Sequence, residues 1–149
     1  MKIQQHQELS DIEELIAQLV ITRRIYELAF LHIEDSHIRS ILHESARKKE
    51  LQSVEIYRAY QFTWDYFHTH LGVQKMIEKA GFSAIEHVQR ANREEILNLC
   101  RQSELDLSKA CSRVLENSNS DIHKFILSNH KKDNNRRLKT LNSLLEKVA

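Results

Sequence analysis

Apolar residues recur at intervals of three and four along residues 11–33, the spacing that places side chains on one face of an α-helix. This stripe consists of Ile12, Leu15, Ile16, Leu19, Tyr26, Phe30 and Ile33. At 1.5 Å per residue the segment forms a helix of about 34 Å. Arg23 and Glu27 interrupt the stripe near its middle, one turn apart. Charged groups on an apolar face need partners, so we expect the other helices to supply them at the same level.

Helical periodicity recurs through the rest of the chain, and the sequence predicts four long helices and one short helix. Their expected positions are residues 11–34, 36–71, 73–80, 84–116 and 120–148. Asp35 or Ser36 is placed to cap the second helix. Gly72 and Gly81 are placed to end the second helix and the short one, since glycine readily adopts the left-handed conformation at a helix terminus.

Two capping boxes support these boundaries. Ser10 with Glu13 has the spacing of a capping box for the first helix, and Ser83 with Glu86 has it for the long third helix. The connections after the first and third long helices are short, so each of these helices should form an antiparallel hairpin with the next. We therefore predict an all-α fold, a single domain over residues 1–149, in which two hairpins joined by a partly helical crossover form an antiparallel four-helix bundle.

Composition agrees with a helical fold. The 149 residues contain no proline and only two glycines, which disfavours turn-rich β folds. No apolar run approaches the roughly 20 residues that span a bilayer, and the N-terminal residues do not resemble a signal peptide. We therefore expect a cytoplasmic protein without a membrane partner. Cys100 and Cys111 lie three helical turns apart, beyond the reach of a mutual disulfide, and we expect both to be buried and reduced.

Charge is unevenly distributed along the chain. Residues 8–35 contain seven acidic and two basic side chains, whereas residues 121–149 contain three acidic and seven basic ones. We expect the first and last helices to lie side by side and attract each other. A nucleic-acid surface on the last helix is disfavoured, because its basic residues point around the whole helix rather than along one stripe. These residues are Lys131, Lys132, Arg136, Arg137 and Lys139.

Three stretches carry a resemblance to a known family: residues 12–38, residues 96–115 with the run Arg101-Gln102-Ser103-Glu104, and the basic residues 129–141. With its two hairpins and its polar residues in mid-stripe, the chain resembles the ferritin-like superfamily. More narrowly, it is similar to a branch of small bacterial four-helix-bundle proteins of unknown function. For that branch the resemblance implies a fold and no established activity.

In the wider superfamily a di-iron or di-manganese centre takes a Glu from each of two helices and a Glu-x-x-His pair from each of the other two. The resemblance makes Glu27 and Glu104 the single carboxylates. The expected pairs are missing, because the second helix offers Lys49 and Gln52 on its inner face. On the last helix the candidate ligands are His130 and Asp133, in reverse order.

We instead predict a metal-free polar layer in the middle of the bundle. Each cation held near a metal position repels a positive ion there, by about 4 kcal/mol per pair of unit charges at 4 Å and an effective dielectric constant of 20. Three cations and three anions can neutralise one another, and an amide and an imidazole complete the layer. Its predicted members are Arg23, Lys49, Arg137, Glu27, Glu104, Asp133, Gln52 and His130. The alternative stays open: a divergent iron or manganese site held by Glu27, Glu104, His130 and Asp133.

Six of the ten aromatic residues fall within residues 57–67. If the second helix continues through them, Phe62 and Tyr66 lie opposite its inner face. Either the crossover covers this second patch, or it forms an interface, for which Phe62, Trp64 and Tyr66 are the candidates.

The sequence contains no HExxH, CxxC, glycine-rich phosphate loop or ordered Ser/His/Asp set. We therefore expect a non-catalytic bundle without a cofactor, which acts through protein contacts or self-association as a homodimer. The alternative function is that of a divergent metal-binding protein in oxidative or stress metabolism.

Overall fold

The computed structural model describes residues 2–60 and 71–148, with side chains for residues 10–60 and 73–147. These residues are helical and contain no β-strand, which confirms the all-α prediction. The helices are α1 (Lys2–His32), α2 (Ser36–Ala59), α3 (Leu71–Gln89), α4 (Arg93–Glu116) and α5 (Asp121–Val148). None of the helices in the described part of the chain is both long enough and apolar enough to cross a membrane.

Helices α1 and α5 each pack against both α2 and α4. Three residues connect α1 to α2 and four connect α4 to α5, so each pair forms the predicted hairpin. The contacts between α1 and α4 also run in opposite directions, because Thr22 meets Ser103 whereas Glu14 meets Arg113. The four helices therefore form a ring in which these neighbours are antiparallel.

Because α2 and α4 are both antiparallel to α1, they run parallel to each other, and the chain between them must return along the length of the ring. Helix α3 makes this return on the outer side of α1, its main packing partner. Its early residue Val73 lines a cleft with Ile16, and its later residue Ala84 lines another with Ile25, so α3 runs in the direction of α1. Its 19 residues span about 28 Å.

The expected break at Gly81 is wrong. Gly72, Gly81 and the predicted capping pair Ser83 and Glu86 all lie inside α3. An apolar stripe continues across Gly81 against α1, formed by Val73, Ile77, Ala84 and Val88. A glycine inside a helix is unfavourable by only about 1 kcal/mol relative to alanine, so packing of this stripe outweighs it.

The break falls instead at residues 90–92, and the predicted helix 84–116 is two helices. Asn92 caps α4: its side chain accepts a hydrogen bond from the backbone N–H of Glu95 at 2.9 Å, and the Glu95 side chain accepts one from the Asn92 backbone. This reciprocal pair is a capping box, written in the sequence as Asn followed three residues later by Glu. The end of this helix at Glu116 and the extent of α5 agree with the prediction.

Two other boundaries differ from the prediction. Helix α1 begins at Lys2, so Ser10 and Glu13 lie within it; no proline or glycine interrupts the preceding residues. Helix α2 ends with Tyr60 as its C-cap, and the predicted continuation over residues 61–70 lies outside the described residues. The N-cap of α2 is as expected, because the Asp35 side chain accepts a hydrogen bond from the Ile38 backbone at 2.9 Å.

The core contains two clusters of buried apolar residues along the ring, and α1 contributes to both. Leu15, Ile16 and Leu19 belong to one cluster, and Ile25 and Tyr26 belong to the other. Among the described residues, α1 and α5 do not pack extensively against each other, because they occupy opposite corners of the ring. The expectation that the acidic first helix and the basic last helix lie side by side is therefore wrong.

Candidate functional site

A polar layer separates the two apolar clusters, and an ion pair lies at its centre. Lys49 Nζ on α2 lies 2.8 Å from Glu104 Oε1 on α4, and both side chains are almost fully buried. The same carboxylate oxygen accepts a hydrogen bond from the Tyr26 hydroxyl of α1 at 2.5 Å. Lys49 also donates to Asn134 Oδ1 of α5 at 2.7 Å. One layer thus links all four helices of the ring.

Gln52 completes this layer by donating from Nε2 to Asn134 Oδ1 at 3.3 Å. Two oxygen atoms, Gln52 Oε1 and Glu104 Oε2, are buried without a hydrogen-bond partner in the described part of the chain. The formal charges of Lys49 and Glu104 cancel. A buried ion pair of this kind usually contributes little net stability, but removal of one member leaves an uncompensated buried charge.

Burial also changes the proton affinities of the layer. Burial lowers the pKa of Lys49, and the attraction of the Glu104 carboxylate opposes this shift. Burial, together with the negative charge of Glu104, raises the pKa of Tyr26 well above its ordinary value. Tyr26 therefore remains a neutral donor to the carboxylate at neutral pH.

A second set of polar contacts lies beside this layer, between α1 and α4. The hydroxyl groups of Thr22 and Ser103 are 2.7 Å apart, and Gln18 Nε2 lies 3.3 Å from the Thr22 hydroxyl. Cys100, one turn before Glu104, is a free, buried thiol, as is Cys111 in the other cluster. The sequence prediction of two buried, unpaired cysteines is confirmed.

Arg23 and Glu27 do not belong to the central layer, so this part of the prediction is wrong. The Glu27 side chain is 57% exposed, and its nearest charged partner is Arg23, with Arg23 Nε to Glu27 Oε1 at 3.6 Å. Thr22 and Tyr26 occupy the inward positions instead. Arg23 directly follows Thr22, and Glu27 directly follows Tyr26. A shift of one position along a helix turns the side chain by about 100°, away from the centre of the bundle.

The predicted residues on α5 lie around the layer rather than within it. His130 is buried, and its Nε2 is 3.3 Å from Glu55 Oε2. Asp133 is half-buried and pairs with the exposed Lys48 at 3.4 Å. Arg137 is half-buried and makes no salt bridge within the part of the chain that the structure describes. The layer predicted as three pairs therefore contains one buried pair, formed by the predicted residues Lys49 and Glu104.

Sequence reasoning missed Asn134 and the polar role of Tyr26. Tyr26 was assigned to the apolar stripe, although a buried tyrosine hydroxyl usually needs a hydrogen-bond partner. The sequence signal for Asn134 is its position midway between Leu127 and Leu141, seven residues from each, and the structure buries all three residues. That spacing identifies the inner face of α5 and places Asn134, not Asp133, at its centre.

The candidate metal ligands Glu27, Glu104, His130 and Asp133 are not brought together. Glu27 lies at the surface, and Glu104 binds the ammonium group of Lys49. Among the residues with described side chains, no three His, Cys, Asp or Glu side chains are grouped so that they could hold a metal ion. A cation of the protein itself thus takes the place beside the central carboxylate, and these residues do not fit a di-iron or di-manganese centre.

The predicted interface residues Phe62, Trp64 and Tyr66 lie outside the described residues. Large exposed apolar side chains do occur elsewhere. Ile122 and Phe125, one turn apart near the start of α5, are 71% and 69% exposed.

Comparisons of the chain with protein-family models, with curated proteins and with solved structures find no match.

Proposed function

We propose that this chain is a non-catalytic, cytoplasmic helical bundle of ferritin-like architecture that acts through protein contacts, with a second copy of itself as the partner. One observation carries this proposal: two large apolar side chains on α5, Ile122 and Phe125, are exposed to solvent. The buried layer around Lys49 and Glu104 supports the non-catalytic part of the proposal, and the arrangement of the helices supports the architecture.

The helix order supports a ferritin-like arrangement. Two antiparallel hairpins, α1–α2 and α4–α5, are joined by a crossover that includes α3. Each hairpin also packs against the other, through α1 with α4 and α2 with α5. A bundle built from two hairpins with one long crossover has this connectivity.

The central layer supports a structural role because its reactive groups are bound to one another. Lys49 binds both Glu104 and Asn134, and Tyr26 donates its hydroxyl proton to Glu104. A general base or nucleophile must reach its substrate, whereas Lys49 and Glu104 have almost no exposed surface. Under this proposal the layer holds the four helices in register, because shifting one helix would separate partners from different helices.

The apolar pair on α5 supports self-association. Residues three apart on a helix are neighbours, so Ile122 and Phe125 form one exposed patch. Burying a phenylalanine side chain is favourable by about 1.5–3 kcal/mol, and exposed apolar patches commonly mark protein contacts. In a homodimer with two-fold symmetry the patch of one protomer packs against the same patch of the other, so both copies are removed from water.

Sedimentation equilibrium across a wide concentration range tests this proposal. We expect a reversible dimer, and the change Phe125→Ser should raise its dissociation constant by about tenfold or more. Phe82→Ser is the matched control, because Phe82 is equally exposed, at 72%, but lies on α3. A wild-type protein that stays monomeric at every concentration, or equal effects of the two changes, would contradict the proposal.

A further inference from the structure

A half-open cleft of about 620 Å³ lies where α3 crosses α1 beside α2. Its size falls within the range of about 300–1,000 Å³ that is typical of small-molecule sites. Helix α3 contributes Val73, Gln74, Ile77 and Glu78, and the remaining lining comes from α1 and α2. Those remaining residues are Ile16, Val20, Arg23, Arg24, Glu50, Ser53, Val54 and Tyr57.

The path of α3 explains why the cleft exists. The first half of α3 lies near α2, so that Val73 and Tyr57 line the same cleft. The second half lies on the α4 side, where Ala84 and Leu99 line another, smaller cleft. Since α3 crosses α1 obliquely and packs mainly against it, the space between α3 and α2 is not filled by the described side chains.

The walls of the cleft combine an apolar surface with a polar group. Ile16 and Val73 are buried, and Val20, Tyr57 and Ile77 are half-buried. Burial raises the pKa of Tyr57, and the nearby positive charge of Arg23 opposes this shift. This lining would favour the apolar body of a ligand.

Arg23 supplies the polar group. Its Nε is buried and has no hydrogen-bond partner in the part of the chain that the structure describes. Glu27 Oε1, at 3.6 Å, is too far away to accept a hydrogen bond from it. Nε has almost no accessible surface, so a ligand in the cleft would pair with the outer guanidinium nitrogens of Arg23, whose side chain is 30% exposed.

The charges that line the cleft differ in their exposure. Arg24, Glu50 and Glu78 line the cleft but are exposed, so water and salt screen their charges. The half-buried Arg23 therefore has the strongest influence on a group bound inside.

We propose that this cleft binds a small organic acid, whose single carboxylate or sulfonate group pairs with Arg23 and whose apolar body lies against Val20, Val73 and Ile77. The cleft is lined by α1, α2 and α3, whereas the self-association patch is Ile122 and Phe125 on α5, so different residues test the two proposals. It gives the bundle a ligand-binding site in addition to its protein contacts.

Two fluorescent probes that differ only by a sulfonate group test this proposal. 1-Anilinonaphthalene-8-sulfonate carries a sulfonate group, whereas N-phenyl-1-naphthylamine has the same rings without it. We expect saturable binding of one sulfonate probe per chain and weaker binding of the neutral probe. Fluorescence titration gives the affinities, and circular dichroism verifies that each protein is folded.

Arg23→Met should weaken the affinity for the sulfonate probe by about tenfold or more, because one charge-assisted hydrogen bond is lost. The affinity for the neutral probe should not change. Arg47→Met is the matched control, because Arg47 is exposed on α2 and does not line the cleft. Val54→Trp should fill the cleft from its rim and abolish binding of both probes, and Gln74→Trp does the same from α3 if the first variant does not fold.

Any one of the following results would overturn the proposal: no saturable binding of the sulfonate probe, equal loss of both probes in Arg23→Met, or undiminished binding in a folded cleft-filling variant. An equal effect of Arg23→Met and Arg47→Met would show that the probe responds only to the overall charge and would equally overturn it.

Discussion

Replacing Lys49 with methionine tests the central ion pair, because methionine keeps a similar length and removes the charge. The change deletes the contacts of Nζ with Glu104 Oε1 at 2.8 Å and with Asn134 Oδ1 at 2.7 Å. Glu104 then retains the Tyr26 hydroxyl as its only hydrogen-bond partner in the described part of the chain. Its carboxylate stays buried without a compensating cation.

Breaking a buried ion pair by removing one member is destabilising by about 3–5 kcal/mol. Since domains of ordinary size are stable by only about 5–15 kcal/mol, Lys49→Met should remove a large part of the free energy of unfolding. Lys48→Met is the matched control. Lys48 is the preceding residue, and its salt bridge with Asp133, at 3.4 Å, is at the surface, so we expect less than about 1 kcal/mol.

A double-mutant cycle separates the ion pair from the other effects of the substitution. We expect Glu104→Gln alone to be destabilising as well, because it leaves the Lys49 charge buried. The variant Lys49→Met/Glu104→Gln should be more stable than the sum of the two changes predicts, by about 2 kcal/mol or more. Urea unfolding followed by circular dichroism measures each value. Equal losses for Lys49→Met and Lys48→Met, or a coupling energy near zero, would refute the reasoning.

Three further predictions concern protons, thiols and metals. Burial lowers the pKa of His130 below its usual 6.5, and Glu55 opposes the shift. The unfolded state therefore binds more protons as the pH falls below about 7, and stability decreases. Urea unfolding should show a flatter pH dependence for His130→Gln, and an unchanged slope would count against this. Burial raises the pKa of Cys111 to about 11 from 9.0 and also raises that of Cys100, so thiol reagents at neutral pH should label native Cys111 about 100-fold more slowly than the unfolded chain, and equal rates would contradict its burial. Adding Fe(II) or Mn(II) should leave the melting temperature of the native protein unchanged, since a ligand of the native state must raise it, and a rise that saturates with metal concentration would support the metal-binding alternative.

The all-helical fold and its two hairpins could be predicted because they depend on local signals: apolar periodicity, short connections and the absence of proline. The helix boundaries around Gly81 could not be predicted from these local signals. Glycine lowers helix stability only slightly, and the contacts of Val73, Ala84 and Val88 with the rest of the fold decide the outcome. The capping box of Asn92 and Glu95 was present in the sequence and marks the true break.

Lys49 could be placed in the layer because it lies on the periodic inner face of its helix, whereas Glu104 entered the prediction through the resemblance to the ferritin-like superfamily. Arg23, Glu27 and Asp133 were misplaced because an error of one position turns a side chain by about 100°. Helix α1 is especially ambiguous, since it packs against three helices and is apolar on more than one face. Charge totals could not show which helices are neighbours, because the acidic α1 and the basic α5 occupy opposite corners of the ring.

Heteronuclear NMR of the lysine ammonium groups measures the charge at the centre of the bundle directly. Lys49 should show the signal of a protonated ammonium group, which is identified by its loss in Lys49→Met. The protons of this group should exchange with water much more slowly than those of the exposed Lys48. Slow exchange follows from the burial of Lys49 Nζ and from its contacts with Glu104 and Asn134. A neutral amine at Lys49, or exchange as rapid as that of Lys48, would contradict the conclusion that a charged lysine neutralises the buried carboxylate.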